Sequence, residues 1–216
     1  MPRVSKVQAE ANHHAIEAAA SRLFRERGLH GVTVADVMAE AGLTHGGFYA
    51  HYPSKDALAA TACESAFAVA AGKWQRRIDA AATPDEARRV IAERYLGAAN
   101  CDPSAASCPT ATLATDVARV GREHPMHAAY VEGVRKQIDT LAGLGGSGNA
   151  ARDRADACTR LATMMGALLL ARACHGDPLA DEIVAAARAR LTTDEANRRP
   201  SRTSSTRRTT SKRGAR

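Results

Sequence analysis

The sequence predicts an all-α fold. It is rich in alanine, poor in aromatic residues (4%) and poor in β-branched runs, which removes the usual material of strands. Its apolar residues recur at helical spacing. Glycine and proline fall where those stripes end.

Each element follows from this pattern. Residues 1–7 read as a flexible arm, with Arg3 and Lys6 available to phosphates. From Gln8 to Arg27, Ile16, Ala19, Ala20, Leu23 and Phe24 share one face, and Gly28 closes the helix. The next helix runs from Thr33 to about Ala41. Thr33 caps it, Val34, Val37 and Ala41 are its buried face, and Gly42 is a left-handed stop. Leu43 fills the corner. Thr44 is placed to cap a very short helix reaching about Ala50, which carries Gly46 and Gly47 at roughly 1 kcal/mol each. A short helix that accepts two glycines needs close approach on one side, and a DNA major groove is one partner that requires it.

Pro53 ends that helix, and Ser54 caps a long one reaching about Ile78, with Leu58, Ala62 and Ala66 on one face and Phe67 beside it. Trp74 near its end reads as core, with its indole N–H as a possible ligand donor. Pro84 suits a first helical position, followed by acid at Asp85 and Glu86, in a helix to about Ala98. Asn100 to Ser107 reads as a loop. Pro109 to Val120 is helical, His124-Pro125 breaks the pattern, and Met126 to Ala142 resumes it with Val131, Val134, Ile138 and Leu141 in register. After the connection from Gly143 to Asn149, two closing helices span 151–174 and 179–191. Their small residues allow close approach, either as a wall of one domain or as half of an intermolecular four-helix bundle. The total is about nine helices.

The net charge is +7, but its location matters more. Residues 197–216 hold seven Arg and one Lys with no acid, which leaves 22 basic against 23 acidic side chains in residues 1–196. The basic tail, 196–216, reads as disordered, with phosphate binding as the sharper alternative. Five cysteines at irregular spacing argue against a disulfide framework, and no CxxC or Cys/His pairing suggests zinc. Cys63, Cys158 and Cys174 fall on apolar helix faces and read as core. No nucleophile–base pair, carboxylate cluster or phosphate-cradling loop points to an enzyme, and no cofactor is implied. His124 and His127 have no third ligand in step and read as loop histidines. No stretch is apolar for long enough to span a bilayer, and the N-terminus lacks a signal-peptide core, so a cytoplasmic location is expected.

The stretch TVADVMAEAGLTHGGFYAHYPSKDAL, with the preceding FRERGLHGV, resembles the N-terminal segment of tetracycline-repressor-type (TetR/AcrR) transcriptional regulators. The likeness covers about Ala15 to Ala62. It rests on Gly28, Thr33, Val37, Ala41-Gly42, Tyr49, His51-Tyr52 and Ser54 to Leu58. The resemblance implies a helix-turn-helix DNA-binding domain at 8–56 and a helical effector-binding and dimerisation domain at 57–195. It implies a homodimer through the helices 151–174 and 179–191, bound to a palindromic DNA operator and released by a small-molecule effector. The long helix from Ser54 would carry the signal. Some members of the family sense electrophiles or oxidants through a cysteine.

Within the motif, Thr44 caps the reading helix and can meet a phosphate. His45 is the first long side chain on its exposed start and suits guanine N7 or O6. Gly46 and Gly47 give clearance. Tyr49 and His51 suit phosphate contacts, while Phe48 and Tyr52 read as core. Lys55 places a cation near a positive helix end, a conflict that a phosphate would repair. Thr33 can contact phosphate from the preceding helix start. Residues 1–56 carry six basic and six acidic side chains with five histidines, so DNA contacts must be few and the salt dependence moderate. Cys101 and Cys108 lie near a helix start. The helix begun by Pro109 would favour the thiolate at Cys108, which makes a redox or electrophile sensor the alternative function.

Overall fold

Eleven helices and no strand make up the described residues, 6–102 and 108–193, of the computed structural model. Ten are α-helices: α1 (Lys6–Arg27), α2 (Val34–Glu40), α3 (Lys55–Asp79), α4 (Pro84–Tyr95), α5 (Ala98–Cys101), α6 (Pro109–Thr112), α7 (Ala114–Val120), α8 (Pro125–Gly143), α9 (Ala150–Ala173) and α10 (Pro178–Thr193). A single 3₁₀ helix, His45–Ala50, lies between α2 and α3. The arm expected at residues 1–7 is corrected at Lys6 and Val7, which open α1; Arg3 and the basic tail 196–216 lie outside the described residues.

Local chemistry sets the ends. Thr33 and Asp36 form a capping box on α2, each accepting from the other's backbone N–H. At its C-terminus Leu43 N–H donates to Met38 O (2.8 Å) and Gly42 N–H to Ala39 O (3.0 Å), with Gly42 at φ +71°. This double bond requires the left-handed residue that the sequence supplies. Ser54, Thr83 and Asn149 cap α3, α4 and α9 through their side chains.

The long helix α3 packs along α8 and α1, and α9 lies against α8 and α10. Two apolar clusters result. One joins α1, α2, Phe48 and the first half of α3 to Leu113, Val117, Met126 and Ala129. The other gathers Trp74, Ile91, Tyr95, Leu96, Leu161, Met164, Leu168 and Leu191. The helix-turn-helix unit therefore shares its core with α7 and α8.

Several expectations are corrected. The helix from Pro84 ends at Tyr95, and after Gly97 a single turn, α5, runs from the expected helix end into the expected loop. The stretch 109–120 divides at Leu113, beyond Thr110 and Thr112, whose hydroxyls donate to Gln137 and to the Cys108 carbonyl. These two changes turn nine helices into eleven. On α8 the buried face is Ala129, Gly133, Gln137 and Leu141, and Val131 is exposed. The face rotates because Gly133 admits the Phe67 ring of α3. Cys63 is buried, but Cys158 is exposed and Cys174 half-buried, since the inward stripe of α9 runs through Ala157, Leu161, Met164, Leu168 and Ala171. His124 caps α8 through its ring rather than sitting in a loop. Two buried arginines also escape apolar periodicity. Arg88 binds Asp85 and the Leu144 carbonyl, and Arg160 binds Asp156 (3.0 Å) and the Leu191 carbonyl (2.9 Å).

Candidate functional site

The turn from Thr44 to His51 presents a mixed face. His45, Gly46 and Tyr49 are exposed, Tyr49 by 70%, while Phe48 is fully buried behind them. Tyr49 stands edge-on to the Phe48 ring at 5.2 Å. Thr44 occupies the N-cap position with extended backbone, but its side chain makes no capping bond, so the capping role expected for it is corrected. The tight 3₁₀ winding puts its backbone carbonyl in that role, with Gly47 N–H donating to Thr44 O at 3.0 Å.

Neither Gly46 nor Gly47 has positive φ. A Cβ at 46 would meet nothing within 4 Å, and one at 47 would make an ordinary contact, 3.7 Å to Met38 Cε. No requirement of the chain itself therefore accounts for glycine at either position.

Lys55 is partly spoken for. Its Nζ donates to the Leu29 carbonyl at 2.6 Å, so the helix-start conflict is relieved by a carbonyl within the chain, and two ammonium protons remain. Thr33 is more fully committed: its hydroxyl donates to Asp36 Oδ2 at 2.6 Å and accepts from Asp36 N–H. Hydrogen bonds from the Thr33 hydroxyl and amide hold the Asp36 carboxyl below its usual range. An anion at Thr33 would lie beside this carboxylate. His51 is half-buried, 6.2 Å from the His13 ring. His13 stacks on Tyr52 at 4.7 Å and its Nε2 lies 3.1 Å from the Tyr52 hydroxyl.

Three polar links that the sequence did not reveal pin this unit to the rest. Leu29, at the corner between α1 and α2, donates its N–H to buried Asp116 of α7 at 2.9 Å. Its carbonyl takes the Lys55 bond. Asp56 lies 3.3 Å from His124 Nε2, joining the start of α3 to the start of α8. No local pattern marks Asp116, whose partner is 87 residues away.

The middle helices enclose a cavity of about 120 Å³. Trp74 and Cys108, both singled out from sequence, meet there with Tyr95, Asn100, Ala66 and Arg25. Tyr95 is 3% exposed, and its hydroxyl makes no hydrogen bond of good geometry. Burial, and then the neighbouring Cys108 thiol, push this phenol well above the usual range. Burial lowers Arg25, whose Nε donates to the Ser21 carbonyl. Lys73, Arg77 and Arg94 line both this cavity and an adjoining surface hollow of about 400 Å³. Arg77 is lowered by burial and by the charges of Arg94 and Arg76.

Gln137 Nε2 approaches Cys108 Sγ at 3.6 Å. The helix that begins beside Cys108 is one turn of four residues, so it supplies little of the dipole expected there. Cys101 lies elsewhere, in a hollow between α5 and α10. Burial pushes its thiol up despite Arg188 and Arg172 nearby.

Residues 16–62 match the family model of bacterial regulatory proteins, tetR family. An uncharacterized HTH-type transcriptional regulator of Bacillus subtilis, YerO, is 42% identical over 43 residues, a stretch that spans 20% of this chain and only 15% of that relative. Solved structures align over far more. Escherichia coli NemR in its reduced form superposes with a TM-score of 0.71 at 18% identity, covering 84% of this chain and 95% of that one. A TetR-family regulator from Streptomyces coelicolor gives 0.69 at 19% identity over 86% and 96% of the two chains. One from Agrobacterium tumefaciens gives 0.68 at 23% over 88% and 98%. No helix among the described residues is long and apolar enough to cross a membrane. The chain thus carries at residues 16–62 a segment that matches the tetR family model, set in a fold similar to that of solved TetR-family regulators.

Proposed function

We propose that the protein is a ligand-responsive repressor that binds a palindromic DNA operator as a homodimer and is released by a small molecule. The observation that carries this is the turn His45–Ala50. It exposes His45, Gly46 and Tyr49 over a fully buried Phe48, with two glycines that the chain's own packing does not require. A groove wall or phosphate pressed against that face supplies the missing reason for them. In this reading His45 meets a base edge. Tyr49, His51, Thr44 and the two remaining Lys55 protons meet phosphates. Residues 8–56 read DNA and 57–195 bind effector and dimerise. The exposed Leu170 (53%) of α9 and Leu179 (47%) of α10 support an interface on those helices.

Footprinting over the protein's own upstream region tests the reading. A palindromic site bound better than random DNA is expected, and no such site would overturn it. His45→Ala should relax sequence preference, while Tyr49→Phe should weaken binding to all sequences alike.

A second reading takes covalent chemistry at Cys108 as the signal. It is favoured by the position of that thiol in the wall of the same cavity as Trp74. A thiol-reactive electrophile should then release DNA from the native protein and not from Cys108→Ser. An equal response from both proteins rejects it.

A further inference from the structure

We propose that the cavity beside Trp74 binds an organic carboxylate with a compact apolar body, the acid group held by Lys73, Arg77 and Arg94 and approached by the Tyr95 hydroxyl. This rests on the effector-responsive reading above and names the chemistry of the effector.

Charge gives the first argument. Lys73, Arg77 and Arg94 form no ion pair with a carboxylate among the described residues, yet they converge on one cavity and its outer hollow. The one carboxylate in that wall, Glu86, is engaged with the Ala82 N–H and with Arg89. Crowded cations without counter-charge destabilise one another. An entering anion reverses the sign of that term, and guanidinium forks suit a carboxylate in particular. The cluster is not placed for the operator, since Lys73 is 18 residues beyond Lys55 on one continuous helix, roughly 27 Å.

The second argument is the Tyr95 hydroxyl, buried in the same wall next to Arg94 and without a hydrogen bond of good geometry. Leaving such a group unsatisfied costs about 1–3 kcal/mol, and a ligand oxygen removes that cost. Size and lining give the third. Ala66, Val69, Trp74 and Pro109 provide apolar wall. The volume, about 120 Å³, approaches that of an engineered cavity of roughly 150 Å³ that takes up benzene. A ring or short acyl body fits, with its charge at the cationic mouth.

Trp74 is the sole tryptophan of the chain, so its fluorescence reports on this cavity directly and without DNA. Full-length protein is titrated with benzoate and cyclohexanecarboxylate, with benzamide as the neutral isostere and inorganic phosphate as an anion lacking an apolar body. Saturable change in Trp74 emission with the two acids is expected, with benzamide and phosphate binding about tenfold or more weakly. Equal binding of benzamide, equal binding of phosphate, or no saturable response to either acid would each overturn the proposal.

Arg77→Gln and Arg94→Gln, both at the mouth, should weaken the acids roughly five- to tenfold. Tyr95→Phe should weaken them while raising the melting temperature of the unliganded protein, a pairing of effects that a purely structural role would not give. Acid binding that leaves operator affinity unchanged keeps the site and removes the effector reading. Operator release by some other compound, with no acid bound, removes the carboxylate proposal alone.

Discussion

Gly133→Ala tests the packing of α3 on α8. In an ordinary helix interior this substitution stabilises by about 1 kcal/mol, because alanine loses less backbone entropy. Here a Cβ at 133 would lie 2.3 Å from Phe67 Cγ and Cδ2 and 2.6 Å from Cδ1. Carbon contacts are favourable only near 3.5–4.0 Å, so the ring or the helix must retreat by roughly 1.2 Å or more. Phe67 has little room, being 6% exposed with Tyr130 edge-on at 5.7 Å. Overpacking of this kind costs about 1–3 kcal/mol and opposes the propensity gain. The net expectation is a loss of about 1–2 kcal/mol, or roughly 2–8 °C for a chain of this size. Gly72→Ala on α3 is the control, since its Cβ would meet only Arg76 Nη1 at 3.7 Å and should stabilise. Urea denaturation followed by circular dichroism, at one fixed protein concentration, reads both. If Gly133→Ala stabilises as Gly72→Ala does, the close approach of the two helices is refuted.

Three further outcomes are expected. Gly46→Ala should change stability by less than about 0.5 kcal/mol in denaturation, since its Cβ enters open space, yet lower operator affinity in a mobility-shift assay about tenfold or more. Asp116→Ala should cost about 1–3 kcal/mol by leaving the Leu29 N–H without its acceptor, and hydrogen exchange should show that amide losing protection. Burial pushes the Cys63 thiol from 9.0 and the Tyr52 phenol from 10.0 up to about 12 each. The folded state thus holds these protons longer than the unfolded chain. Their contribution to stability is full below pH 9 and is lost as pH rises towards 12. Cys63→Ala should flatten that alkaline decline in denaturation curves.

The features legible in sequence were those set by neighbours in the chain. The capping residue Thr33, the stop at Gly42 and the buried Phe48 depend on residues a few positions away, and the structure has them as expected. The motif also marked the exposed His45 and Tyr49. What sequence reasoning missed was decided across the fold. The bond from Lys55 to Leu29 O was not visible, because that acceptor is 26 residues earlier. Val131 fitted an apolar stripe, but Gly133, two residues on, turned a different face inward. Trp74 and Cys108 were each noted alone; that they share one cavity with Tyr95 depends on how α3, α4 and α6 assemble.

The peptide of Leu29 explains how the reading unit is held. Its N–H is bound from α7 by Asp116 and its carbonyl from the start of α3 by Lys55, so both polar groups of one corner are fixed from outside α1 and α2. A Cβ in place of Gly28 would come within 3.0 Å of Asp116 Oδ2, and Gly28 takes φ +74° there, so glycine is required both by conformation and by close approach. The cavity wall at Cys108 and Pro109 begins α6, which turns at Leu113 directly into α7 and Asp116. Arg25, four residues before Leu29, lines the same cavity from α1. An anion at Trp74 would therefore act on the corner from two sides, by drawing on Arg25 and by displacing the α6–α7 bend. The long helix α3 is a third connection, since Lys73, Trp74 and Arg77 at the cavity lie on the helix that Lys55 begins. If the cavity binds the proposed acid, a shift there need not travel through α3 alone, because the helix-turn-helix shares both a core and a polar corner with the helices around the cavity.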